Sequence, residues 1–193
     1  MLLIVMERRI EDKTILDKFV EEFCEVVDKH VEYIICSGFV AIAHGRSRGT
    51  EDIDMIIRKM DEKDFILLHE DLIKEGFVCI QSNEPKIIYS KYLIQENSVR
   101  YVWDDEGFFP PEMEIKFAKD ELDNEQIDSR TKFPLTGLEV YFSSIEGNIA
   151  FKEEFLGAQK DIEDAKHLRI VYSGDIDELK INLIKDKIKK LRK

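Results

Sequence analysis

The stretch from Tyr33 to Arg58, YIICSGFVAIAHGRSRGTEDIDMIIR, decides how the rest of the chain is placed. Tyr33-Ile34-Ile35-Cys36 is a short apolar, partly β-branched run that reads as a strand. Ser37-Gly38 follows, a small polar residue and a glycine that can open a helix and leave backbone N–H groups free, which suits a phosphate at the positive end of the helix. Phe39 to His44 is too short for a main structural helix, and Gly45 and Gly49 bracket Arg46-Ser47-Arg48 as a mobile or tightly turned loop. Asp52-Ile53-Asp54 then opens the apolar run Met55-Ile56-Ile57. Strand positions two apart project the same way, so Asp52 and Asp54 share a face while Ile53 points into the core. Paired carboxylates repel each other unless a cation sits between them, and a magnesium ion that keeps some waters and touches substrate phosphates is the usual solution.

Composition bounds what surrounds this stretch. The chain has 193 residues and 44% hydrophobic content, enough for a core in one domain with a small appendage. Its 41 acidic against 29 basic residues give a formal charge of -12, which argues against broad attachment to nucleic acid or to an anionic membrane. Cys24, Cys36 and Cys79 lie scattered in apolar stretches without CxxC spacing and read as buried free thiols of a reducing cytoplasm. The apolar run Met1 to Met6 is too short to span a bilayer, so a cytoplasmic protein with no membrane partner is expected. The sequence shows no internal repeat, low-complexity tract or interdomain linker.

The flanking segments supply the layers. Ile10 to Val31 carries Ile15, Leu16, Phe19, Val20, Phe23, Val26 and Val27 at helical spacing, with His30 near its end. Asp61 caps a helix towards Glu75 with Phe65, Leu68, Leu72 and Ile73 inward, His69 on its surface or edge, and Gly76 as its stop. Phe77–Gln81 reads as a strand, Pro85–Gln95 as a helix with Ile87, Ile88, Tyr92 and Leu93 inward or else a strand, and Val99–Trp103 as a strand ending in the turn Asp104–Gly107. Alternation in Glu112–Phe117 separates Glu112, Glu114 and Lys116 from Met113, Ile115 and Phe117. Asp120–Asp128 reads as an exposed polar helix or loop, Leu138–Phe142 as a strand, and Ser143 with Glu146 as the capping box of a helix running to Gly157. Ile176–Lys193 is a helix with Ile181, Leu183, Ile184, Ile188 and Leu191 towards the body and a basic end, Lys185, Lys187, Lys189, Lys190, Arg192 and Lys193, that could touch an RNA acceptor.

Ser37-Gly38, the Arg/Ser/Gly loop and Thr50-x-Asp52-x-Asp54 at the start of an apolar strand together resemble the nucleotidyltransferases of the DNA polymerase β superfamily, nearest its minimal and AbiEii-like branch. A second signature strengthens the resemblance over residues 33 to 168: a strand ending in Ser-Ser-x-Glu, a helix with Lys152, then Lys160-Asp161-x-x-Asp164-Ala165. The resemblance implies an α/β (α+β) nucleotidyltransferase fold, a small mixed sheet flanked by helices, with residues 1–145 as the core and 146–193 as a helical C-terminal part. It implies that Asp52 and Asp54, completed by Glu114 on a neighbouring strand, bind two magnesium ions, with manganese as the alternative metal. Ser37, Gly38, Arg46, Ser47, Arg48, Lys152 and Lys160 would bind the nucleotide, with Asp161 positioning a basic group or the helix.

The function so implied is transfer of a nucleoside monophosphate from a nucleoside triphosphate to a hydroxyl of an RNA, protein or small-molecule acceptor, tRNA among them. Some members of the branch are toxins, which adds a toxin role and an antitoxin partner to what the resemblance implies. The chain departs from the pattern in having Ser37 where a glycine is usual and Glu114 where an aspartate is usual. Both departures favour the competing class, a noncatalytic nucleotide sensor or partner-binding protein on the same scaffold.

Overall fold

The computed structural model describes residues 13–50, 52–104 and 111–192. Met1–Met6, the opening Ile10 to Asp12 of the expected first helix, the turn residues Asp105 to Gly107 and Lys193 lie outside the described residues. Thr14 opens helix α1 (Ile15–Val27) through reciprocal capping bonds with Asp17. The helix ends with the last residue of its apolar series, Val27, short of the expected Val31, and His30 beyond it bonds Asp71 at 3.0 Å. Strand β1 (Tyr33–Cys36), helix α2 (Gly38–Ala43) and strand β2 (Asp52–Ile57) follow in the expected order. Helix α3 (Glu62–Lys74) is capped by Asp61 and ends near Gly76, whose φ of +84 suits glycine. Beyond β3 (Phe77–Cys79), the segment opened by Pro85 is helical: α4 (Pro85–Ile87), a π-turn (Ile88–Tyr92) and a 3-10 turn (Leu93–Gln95). Then come β4 (Val99–Trp103), β5 (Glu112–Phe117), α5 (Glu121–Asp128), α6 (Ile145–Phe151) with a π-turn (Lys152–Leu156), α7 (Gln159–Val171) and α8 (Glu178–Leu191).

The five strands form one mixed sheet in the order β1-β2-β5-β4-β3, parallel only between β2 and β5. Its two faces differ because the strands alternate. Ile53, Met55, Met113, Ile115, Val99 and Tyr101 bury into the main core with Phe19 and Phe23 of α1 and Phe65, Leu68 and Leu72 of α3. On the other face Ile34 and Ile56 form a small cluster with Ala118 and Ile127, against which Cys36 packs, and the row outside it carries charged residues. Cys36, Asp54, Glu114 and Arg100 lie side by side in that row, one from each of four neighbouring strands.

Several expectations change for identifiable reasons. Leu138–Phe142 makes only a bridge from Phe142 to Ile35 and another to Thr131, yet Leu138, Val140 and Phe142 still bury, which explains the strand-like alternation. Helix α5 is not simply exposed, because its Leu122, Asp123, Gln126 and Ile127 are buried. His69 is 3% exposed: it stands four residues from Phe65 on the inward stripe of α3, and Tyr101 Oη satisfies its Nδ1 at 2.8 Å. Ile73 is exposed, one residue and so about 100° beyond Leu72 around the helix. Ile87 is also exposed while Ile88 and Leu93 are buried, and on α8 only Ile181 and Ile188 bury fully while Leu183 and Leu191 face outward.

One buried polar group makes the fold sensitive to acid. His44, at the end of α2, packs between Phe133, Phe142 and Tyr172, with Nδ1 on the Val40 carbonyl and Nε2 unpartnered among the described residues. Two other titratable groups lie beside it, Tyr172 and His167, and His167 Nε2 bonds the His44 carbonyl at 2.9 Å. Burial pushes the His44 ring down to about 4. The unfolded chain therefore binds a proton below about pH 6.5 that the folded chain refuses, so stability is full above that pH and falls on the way to pH 4. In urea melts at pH 7 and pH 4, the wild type should lose about 3 kcal/mol more than His44→Phe between the two. Equal losses would contradict this.

Candidate active site

The charged row opens onto a cleft of about 580 Å³, its open mouth included. Cys36, Ser37, Asp54, Ile56 and Lys116 supply the sheet side, and Phe151, Lys152, Phe155 and Leu156 the opposite wall. Asp123 and Gln126 of α5, Asn148 of α6 and Arg192 beyond α8 close it in. Phe155 and Leu156 remain exposed. Arg192 stacks over Phe151 and Phe155 at 5.4 and 5.9 Å while bonding Asp120 and Asp123.

Asp54 lies on the cleft floor. Burial raises its carboxyl above the ordinary range, while a hydrogen bond from the Ser37 hydroxyl and the charge of Lys116 oppose that rise. Ser37 holds that bond from a backbone of φ 63 and ψ -131, a region glycine occupies freely and other residues only under strain. The serine is tolerated, then, at a conformational cost, and its side chain does not cap α2.

Behind the cleft the chain is pinned by one carboxylate. Asp164 of α7, 0% exposed, takes Lys152 at 2.8 Å, Arg48 at 2.5 Å and Arg46 in direct contact. Arg46 also reaches Glu163 at 2.7 Å and the Lys160 carbonyl at 2.9 Å, so the loop between Gly45 and Gly49 is tied down. The Arg48 guanidinium covers Gly38, where a Cβ would come within 3.2 Å of it. Lys152 is 1% exposed; burial pushes its ammonium down to about 8, with Asp161 working the other way.

The cleft thus brings together Ser37, Asp54 and Lys152. Gly38, Arg46, Arg48 and Asp161 stand behind it in the packing around Asp164, while Ser47 and the Lys160 side chain are exposed. Asp52 is exposed at the start of β2, on the same face as Asp54. Glu114, register partner of Asp54, is drawn to Arg100 at 3.2 Å on its other side. Among the described residues no three His, Cys, Asp or Glu side chains converge closely enough to hold a metal ion. Asp52 and Asp54 lie on one face of β2 and carry hard oxygens of the kind a magnesium-type cation takes, with Glu114 opposite Asp54 on β5.

Lys116, Asp123, Gln126 and Asn148 line the cleft without having been assigned to a site from the sequence, and Arg192, read there as part of a basic end, lines it too. For Lys116 the signal was present, two residues after Glu114 on the same strand face. The basic end of the chain is largely neutralised: Lys185 pairs with Glu153, Lys187 with Glu125, Lys189 with Glu154, and Arg192 with Asp120 and Asp123. It is not the free cationic strip that its sequence suggests.

This architecture is that of nucleotidyltransferase-like folds. Among solved structures, the chain is similar to the antibiotic-resistance factor ANT(2'')-Ia, with a TM-score of 0.53 at 13% identity over 90% of this chain and 91% of that one. It is also similar to an antigenic nucleotidyltransferase-like protein from Paracoccidioides brasiliensis, with a TM-score of 0.52 at 15% identity over 91% of this chain and 88% of that one. No family model matches the chain, and no curated protein matches its sequence.

The strain at Ser37 can be measured separately from its hydrogen bond. Ser37→Ala and Ser37→Gly both remove the hydroxyl, but only glycine accepts the observed backbone freely, so the glycine variant should be more stable than the alanine variant by about 1 kcal/mol or more in urea unfolding. Equal stabilities would contradict the strained conformation.

Proposed function

We propose that this chain is a nucleotidyltransferase that moves a nucleoside monophosphate from a nucleoside triphosphate to an acceptor hydroxyl. The observation that carries the reading is the meeting of Asp54, Ser37 and Lys152 in one cleft beside an aromatic wall, in a fold similar to nucleotidyltransferase-like structures. In the reaction the acceptor oxygen forms a bond to the α-phosphorus, the bond from that phosphorus to the oxygen bridging the β-phosphate breaks, and pyrophosphate leaves. Asp52 and Asp54 would hold magnesium, or manganese in its place, and the metal when bound supplies charge neutralisation for phosphate oxygens. Lys152, fixed by Asp164 and lining the cleft, presents positive charge towards the phosphates. Arg46 and Arg48 act from behind, holding the loop and the helix that carry this wall, while Glu114 is the carboxylate to which we assign the acceptor's proton. A tRNA or protein acceptor, a small-molecule acceptor, and a toxin role with an antitoxin partner belong to the same proposal.

A second reading has its own support. Glu114 is engaged by Arg100 and no three-carboxylate group is assembled among the described residues, which favours a protein that binds nucleotide without transferring it. Incubation with each labelled nucleoside triphosphate, magnesium or manganese, and pools of tRNA and protein separates the two: label transfer supports the enzyme, and binding without transfer supports the sensor. In either case Asp52→Ala combined with Asp54→Ala should weaken magnesium-dependent nucleotide binding at least about tenfold in calorimetry. Unchanged binding would remove the carboxylate pair from the site.

A further inference from the structure

One cation of the cleft makes no ion pair among the described residues. Of the cations that line it, Lys152 is paired with Asp164 at 2.8 Å, and Arg192 with Asp123 at 2.5 Å and Asp120 at 3.0 Å. Lys116 is half-buried and, among the described residues, its ammonium makes no hydrogen bond and no ion pair. Asp54 is near enough for its charge to be felt, yet its hydrogen bond comes from Ser37. Lys116 lies opposite Ile56 on β5, one pleat beyond Glu114, and so rises from the small apolar patch of Ile34, Ile56 and Ile127 at the edge of the carboxylate row.

A half-buried ammonium without a counter-ion loses hydration and gains nothing until an anion arrives. The surroundings describe that anion. Gln126 is 7% exposed, lines the cleft, and its side-chain amide has no hydrogen-bond partner among the described residues. Across from it Phe151, Phe155 and Leu156 offer an apolar wall. A ligand with a dense anionic end and a flat apolar end matches this layout, and a compact ammonium serves a phosphate as a point charge. Resting on the reading of the cleft as a nucleotide site, we propose that Lys116 holds the polyphosphate of the nucleoside triphosphate, as the cleft's one lining cation left without a protein counter-ion among the described residues.

Calorimetric titrations of the wild type, Lys116→Gln and Lys116→Arg test this, with magnesium tripolyphosphate and with magnesium ATP, GTP, CTP and UTP as probes. Lys116→Gln should bind tripolyphosphate and the accepted nucleotide at least about tenfold more weakly, with a smaller dependence on salt, and Lys116→Arg should stay within about threefold of wild type. Wild-type affinity in Lys116→Gln overturns the assignment while leaving the nucleotide site standing. An equal loss in Lys116→Gln and Lys116→Arg also overturns it, since charge is then not what matters. Wild-type protein that binds neither tripolyphosphate nor any of the nucleotides overturns both. Tripolyphosphate binding that depends on Lys116, together with nucleotide binding but no label transfer to any acceptor, keeps the assignment and removes the transferase reading.

Discussion

A single buried carboxylate, Asp164, holds together the parts of this molecule that matter for its chemistry. An ion removed from water is stabilising only when its partners are close and well placed. Asp164 has three cations in contact, and they come from the loop after α2 and from the π-turn after α6. These two segments lie more than a hundred residues apart in sequence, and each carries groups on or behind the cleft. The interaction therefore joins the sheet half of the site to its helical half. Without it Arg46 and Arg48 would repel Lys152 across the same space.

The second constraint is the asymmetry of the sheet. One face is covered by α1 and α3 and is apolar throughout, which leaves β2 and β5 free to carry aspartate, glutamate and lysine on the other. A small patch of Ile34, Ile56, Ala118 and Ile127 seals that second face at one end and lets the cleft open beside it. Strain at Ser37 and burial of Asp54 meet at the cleft floor. Strain and buried charge both cost stability, and their coincidence at one point is what a binding site looks like when the rest of the fold supports it.

Much of this was legible in the sequence because it rests on local rules. The alternation in Glu112–Phe117 and in Asp52–Ile57 placed the charged row on one face, and the cap at Asp61 follows from hydrogen bonding within one turn. What local rules leave open is which of several equivalent residues the tertiary packing selects. Asp161 and Asp164 are neighbours on α7, and only the docking of that helix on α2 decides that Asp164 receives the cations. Arg192 reads as part of a solvated basic tail until α8 brings it back against Asp120 and Asp123. Glu114 reads as a partner of Asp54, and its alternative partner, Arg100, becomes visible only from the strand order.

The coupling through Asp164 is measurable by hydrogen exchange on the wild type and on Asp164→Asn. The amides of Gly45 and Arg46 bond the carbonyls of Ile42 and Ala41, and the amide of Gly157 bonds that of Lys152, so both segments carry a readable backbone signal. Breaking a buried ion cluster by removing its shared partner costs about 3–5 kcal/mol, enough to open whatever it holds. The account predicts that Gly45, Arg46 and Gly157 lose protection together in Asp164→Asn while the amides of α1 and α3 keep theirs. Loss at one segment with full protection at the other would contradict it.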